Sequence, residues 1–186
     1  VPPDATPRLA TCTELDALLG GGLAETSTML LYGDAGKGKS RAAFRMIGAL
    51  RSSLVLTLEM PAELAVDTAR GAGADLRGMD VLEELDDWEA EAAGKRGILL
   101  DSISVTPSAT TILRKLRDWA TRTRGVVIAI GQCNARGRPL GPNFLKHWPD
   151  YVIQSTQGPK EFTHLRIRKS RYCALGETDV RIVSAP

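Results

Sequence analysis

The sequence predicts an α/β fold, with a mainly parallel central sheet flanked by helices and antiparallel edge strands near the C-terminus. Short, near-continuous apolar runs alternate with stretches of helical periodicity, as strands buried on both faces and joined by crossover helices require. The 186 residues, 43% hydrophobic and 25% charged, are enough for one full core and short for two, so residues 1–186 are expected to form a single domain.

Taken in order, residues 29–32 are the first apolar run and predict a strand. Residues 39–50 follow with helical spacing, then a strand over 54–58 and a helix over 61–71. The acidic stretch 80–94 predicts a loop leading into a short helix around Trp88. A strand over 98–100 precedes a helix over 108–124, with Ile112, Leu116, Trp119 and Ala120 on one face and Ser108 placed to cap it. Residues 126–130 give another strand. Residues 132–145, rich in glycine and proline, predict irregular backbone. The more amphipathic segments 151–154, 163–169 and 179–183 predict the antiparallel edge strands.

Between the first strand and the first long helix the chain reads Gly33, Asp34, Ala35, Gly36, Lys37, Gly38, Lys39, Ser40. This meets the pattern GxxxxGK[ST] in its required strand–turn–helix setting, and predicts a site for ATP with Mg²⁺. Glycines let successive N–H groups point at phosphate oxygens, and the helix N-terminus adds partial positive charge. Lys39 is expected to pair with the outer phosphates and the Ser40 hydroxyl to ligate Mg²⁺, with Arg41 among the nucleotide-binding residues. A second metal-side acid is expected at the end of a buried strand, where Asp101 stands. Glu59, just beyond the strand over 54–58, has the chemistry to take a proton from water. A strand-end Asp also serves as a turn cap, and a Glu before proline as a solvated helix start.

Several short motifs then resemble those of the RecA superfamily, in particular RadA/Sms proteins and DnaB-type helicases. Thr13-Glu14-Leu15-Asp16 with Leu19-Gly20-Gly21-Gly22-Leu23 is similar to the lead-in of RadA- and KaiC-like ATPases. Leu58-Glu59-Met60-Pro61 resembles a DnaB-type motif whose Glu is the catalytic carboxylate, and Asp101-Ser102-Ile103 resembles the RadA segment after the metal-binding strand. Gly131-Gln132-Cys133-Asn134, Gly141-Pro142 and His147-Trp148-Pro149-Asp150 resemble a further RadA block. There Gln132 is closer to the glutamine of RecA and DnaB, which contacts the γ-phosphate. Lys169-Ser170-Arg171-Tyr172 resembles the Lys and Arg that act in trans on a neighbouring subunit's nucleotide, while Cys173 departs from the glycine expected next. The resemblance implies a RecA-like ATPase of homo-oligomeric form, ring or filament, and spans about residues 11–183.

It also implies that the loop after Gln132 lines a pore holding single-stranded DNA. Arg136 and Arg138 suit phosphate contact there, although the loop has no aromatic platform for stacking. Charge is uneven along the chain: about eleven acidic against four basic residues over 59–96, and about fourteen basic against five acidic from Arg114 onward. Two functions therefore stand: an ATP-driven motor or remodeller of nucleic acid, or a KaiC-like regulatory ATPase controlling a protein partner. A small-molecule kinase has less to recommend it, since no lid-like arginine-rich insertion is visible. No apolar stretch approaches a membrane span, no signal-peptide pattern is present, and Cys12, Cys133 and Cys173 lack metal-ligand spacing. A cytoplasmic protein with no membrane partner is expected. Cys133 and Cys173 are expected to be small buried residues, and Trp88 and Trp119 to serve packing.

Overall fold

The apolar runs become strands of one eight-stranded sheet in the computed structural model, which describes residues 6–140, 145 and 147–183. The N-terminal part holds β1 (Arg8–Leu9), α1 (Asp16–Leu19), β2 (Leu23–Ala24), β3 (Thr28–Gly33) and α2 (Lys39–Gly48). The middle holds β4 (Ser53–Thr57), α3 (Ala62–Gly71), β5 (Met79–Leu82), α4 (Trp88–Glu91), β6 (Gly97–Asp101) and a 3-10 turn at Ile103–Val105. Then come α5 (Ala109–Thr123), β7 (Val126–Gln132), β8 (Tyr151–Gln157), β9 (Phe162–Ser170) and β10 (Glu177–Arg181). The order across the sheet is β10-β9-β8-β3-β7-β6-β4-β5. Strands β8 through β5 in that order pair in parallel, while β9 and β10 add antiparallel. The short β1 and β2 pair with each other.

Alternation along β3 explains the two-sided core. Met29 and Leu31 enter one apolar cluster with Phe44 and Ile47 of α2, and Leu30 and Tyr32 enter the other with Leu113, Leu116 and Trp119 of α5. Full burial of such side chains is worth roughly 1.5–3 kcal/mol each, so the central strands tolerate no polar register. Trp88, Trp119 and Trp148 all lie in the second cluster, which accounts for them as packing residues. No helix among the described residues is long and apolar enough to cross a membrane.

Several expectations are corrected. Residues 151–154 belong to β8, which is parallel to β3 and interior rather than an antiparallel edge. Its alternating burial reports that one face is less covered; it carries no information about which edges are paired. Residues 79–82 form the edge strand β5, overlapping the start of the stretch 80–94 expected to be a loop, and its pairing with β4 is supplied by backbone groups. Ser108 does not cap α5: it sits in the left-handed region at φ 48°, and its side chain makes no cap hydrogen bond. The buried face of α5 is Leu113, Leu116, Trp119 and Ala120, with Ile112 only partly covered. After β7 the described backbone is irregular, as expected, in a turn closed by a Cys133–Pro139 bridge and by Asn134 Oδ1 accepting from the N–H groups of Arg136 (2.9 Å) and Arg138 (3.1 Å). Gly141 and Pro142 lie outside the described residues.

Candidate nucleotide-binding and catalytic site

The carboxyl ends of the parallel strands carry most of the candidate residues, the edge where open α/β sheets bind ligands. β3 delivers the chain into the turn over residues 33–40, which α2 then receives. Two glycines are required by contact. A Cβ at Gly33 would stand 2.2 Å from Ser155 O, and one at Gly38 would stand 2.8 Å from Ile182 Cδ1 with φ at +80°. The turn is also clamped from the side. Ser155 Oγ (2.8 Å) and Thr163 Oγ1 (2.6 Å) both donate to Lys37 O, fastening the turn to β8 and β9. No motif signals these two hydroxyls, because they lie more than a hundred residues downstream. Gly36, Gly38, Lys39, Ser40 and Arg41 line an open cleft with Met60, Thr68 and Ile182.

Lys39 is largely buried, and its ammonium donates to the Asp34 carbonyl at 2.6 Å. Burial lowers its pKa, opposed by the acids around it, Asp101, Glu59 and Asp34. Asp101 ends β6 with 1% exposure, and its Oδ2 has no hydrogen-bond partner among the described residues. Burial raises its pKa to about 6, the Ser40 hydroxyl pulls it down, and the Glu59 charge raises it further. Thr57 of β4 pairs with Asp101, so the chain leaving β4 passes beside that carboxylate. Glu59 is exposed two residues on, and the Ser102 hydroxyl donates to its carboxylate. Thr57 Oγ1 donates to Met60 O (2.8 Å), which shapes this turn. Gln132, exposed at the end of β7, pairs with Gly33.

Lys39, Ser40, Asp101, Glu59 and Gln132 are therefore gathered at one sheet edge. An unsatisfied buried carboxylate oxygen beside a serine hydroxyl is a donor set that fits a hard cation such as Mg²⁺. Cys133 lies at this edge too, partly exposed rather than buried, with its thiol donating to Asp34 Oδ1 at 3.0 Å. Cys173 is likewise partly exposed. Arg136 and Arg138 are exposed on or beside the turn after β7.

Lys169 and Arg171 are elsewhere. Lys169 pairs with Val152 of β8, three residues before Ser155, which faces Gly33. At the rise of a strand this is roughly 10 Å back along the sheet, toward the opposite edge. There Lys169 Nζ donates to Pro149 O (2.8 Å), and Arg171 Nη1 lies 3.2 Å from Asp150 Oδ1. Burial and the neighbouring Arg171 charge lower the Lys169 pKa.

No family model matches the chain. It is similar to the DNA repair protein RadA of Salmonella typhimurium and of Escherichia coli, 28% identical to each over 195 residues and 94% of this chain. It spans 42% of the length of either relative. Among solved structures it is similar to a KaiC-like protein of Pyrococcus horikoshii (TM-score 0.74, 18% identity, 94% of each chain covered). It also resembles the RadB recombinase (TM-score 0.73, 20% identity, 94% of this chain and 96% of that one).

Proposed function

We propose that residues 1–186 form one ATP-hydrolysing core of the RecA superfamily of P-loop ATPases, working in a homo-oligomer on single-stranded nucleic acid, a reading supported by the likeness to RadA and to the KaiC-like and RadB structures. One observation carries the site: the glycine-shaped turn meets a buried carboxylate oxygen of Asp101 that has no hydrogen-bond partner among the described residues. The N–H groups at the start of α2 bind the phosphates, and Lys39 leaves the Asp34 carbonyl to hold the outermost one. Ser40 and Asp101 would hold a magnesium ion, which neutralises phosphate charge when bound. Glu59, oriented by the Ser102 hydroxyl, accepts the proton of the attacking water. Gln132, joined to Gly33 by strand pairing, contacts the terminal phosphate and passes its presence to the turn that follows.

Lys169 and Arg171 serve the nucleotide of an adjacent subunit, a role supported by their distance along the sheet from their own phosphate turn. Arg136 and Arg138 contact nucleic-acid phosphates. RadA is described as a DNA repair protein and RadB as a recombinase, which supports a nucleic-acid partner here. The composition supports a cytoplasmic location.

The deciding measurement is ATPase turnover per chain against protein concentration, with and without single-stranded DNA. Turnover is expected to rise with both, to vanish in Lys39→Ala, and to vanish in Arg171→Ala while ATP binding persists. Equal turnover in dilute and assembled protein would remove the trans role. Nucleotide-dependent assembly without DNA stimulation would instead favour a regulatory ATPase acting on a protein partner.

A further inference from the structure

The sheet edge opposite the phosphate turn holds a cluster built around one carboxylate. Asp150 is 3% exposed and directly precedes β8. Its Oδ2 accepts from Thr28 N (2.9 Å), lies 3.0 Å from the Thr28 hydroxyl, and stands 3.5 Å from Arg117 Nη2. Arg117 Nη2 also donates to Thr28 Oγ1 at 2.8 Å. The other oxygen, Oδ1, holds Arg171 at 3.2 Å, and the Arg171 N–H donates to Asp150 O. Lys169 donates to Pro149 O, one residue away. Three cations thus surround one buried carboxylate, and the two assigned to the neighbouring subunit's nucleotide are tied to adjacent residues.

An ion pair to a guanidinium that is 53% exposed adds little to stability. What the arrangement does achieve is direction. Asp150 is fixed to the start of β3 by Thr28, and it holds Arg171 on one side while leaving the other side open to solvent. Three cations would otherwise repel one another and splay.

We propose that Asp150 is a positioning residue for hydrolysis in the adjacent subunit: braced by Thr28 and Arg117, it fixes the outward aim of Arg171. This rests on the trans role proposed above for Lys169 and Arg171.

Subunit mixing separates the two ideas. In a head-to-tail assembly each site joins one subunit's phosphate turn to the next subunit's Arg171. Asp150→Asn alone is expected to lower kcat about 100-fold, as misplacement of a transition-state contact does, with KM for ATP little changed. Mixed with an equal amount of Lys39→Ala, it should recover to roughly a quarter of wild-type turnover, because its own phosphate turn is intact and borrows a correctly aimed Arg171. Arg171→Ala mixed with Lys39→Ala is the control. If that pair shows no recovery, the trans reading falls, and this proposal with it. If the control recovers and Asp150→Asn does not, Asp150 acts within its own subunit and only this proposal is overturned. Wild-type kcat in Asp150→Asn also overturns it. Should the Asn variant melt too early to assay, Asp150→Ser, which keeps an acceptor for the Thr28 amide, is scored by the same rule.

Discussion

Asp101 shows how a single residue sets function against stability. Its carboxylate is buried, one oxygen has no hydrogen-bond partner among the described residues, and burial raises its pKa to about 6. An acid whose folded pKa lies above its unfolded value binds more proton folded than unfolded, so stability falls as pH rises through the window from about 4 to 6. Above that window the cost is fully present, on the order of 2–3 kcal/mol for a shift of about two units. In protein free of metal and nucleotide, Asp101→Asn is expected to melt higher than wild type at pH 7.5, to lose that advantage by pH 4, and to lack hydrolysis. Thermal melts of both proteins across this range check it; a variant that melts lower at pH 7.5 contradicts the account. Gly38 makes the complementary case. A side chain there meets φ +80° together with Ile182 and Thr163, so Gly38→Ala should cost at least about 1–2 kcal/mol and weaken ATP binding. Calorimetric titration with Mg-ATP beside a melting curve reads both effects.

At the level of elements, the phosphate turn is held by strands that lie more than a hundred residues downstream of it. Ser155 of β8 and Thr163 of β9 donate to the same carbonyl, Lys37 O. Removing one hydroxyl with Thr163→Val should lower stability by about 1 kcal/mol and loosen ATP binding by a similar factor in free energy, roughly fivefold. Unchanged affinity by fluorescence titration would mean the clamp is redundant. The turn after β7 invites a second measurement. If Arg136 and Arg138 each meet one phosphate of a single strand, replacing both by Ala should flatten the slope of log K against log salt by about 1.4 units. This division also marks what was legible. Strands β3, β4, β6 and β7 announce themselves as apolar runs because helices cover both of their faces. The interior place of β8, and the existence of β5, depend on backbone pairing between elements, which leaves little trace in side-chain pattern. The Cys133 thiol beside Asp34 was unreadable for the same reason: strand order, not spacing, brings residues 34 and 133 together.

For the molecule as a whole, the order of motifs along the chain foretold the gathering of Lys39, Ser40, Glu59, Asp101 and Gln132, because parallel strands all deliver their carboxyl ends to one edge. It could not foretell that Asp150, Thr28 and Arg117 form a second polar centre at the opposite edge. The two centres sit at opposite ends of the strands. On the trans role proposed above, a head-to-tail neighbour brings them together. That geometry has a numerical consequence when inactive subunits are mixed into wild-type protein. Lys39→Ala spoils only the site on its own phosphate turn, and Arg171→Ala only the site it faces, so turnover should fall in proportion to the wild-type fraction in either mixture. A chain carrying both substitutions spoils two sites, and turnover should fall as the square of that fraction, to about a quarter rather than a half at equal mixing. Mixtures are compared at constant total protein above the assembly concentration. A straight line for the double variant would mean that each chain completes its own site.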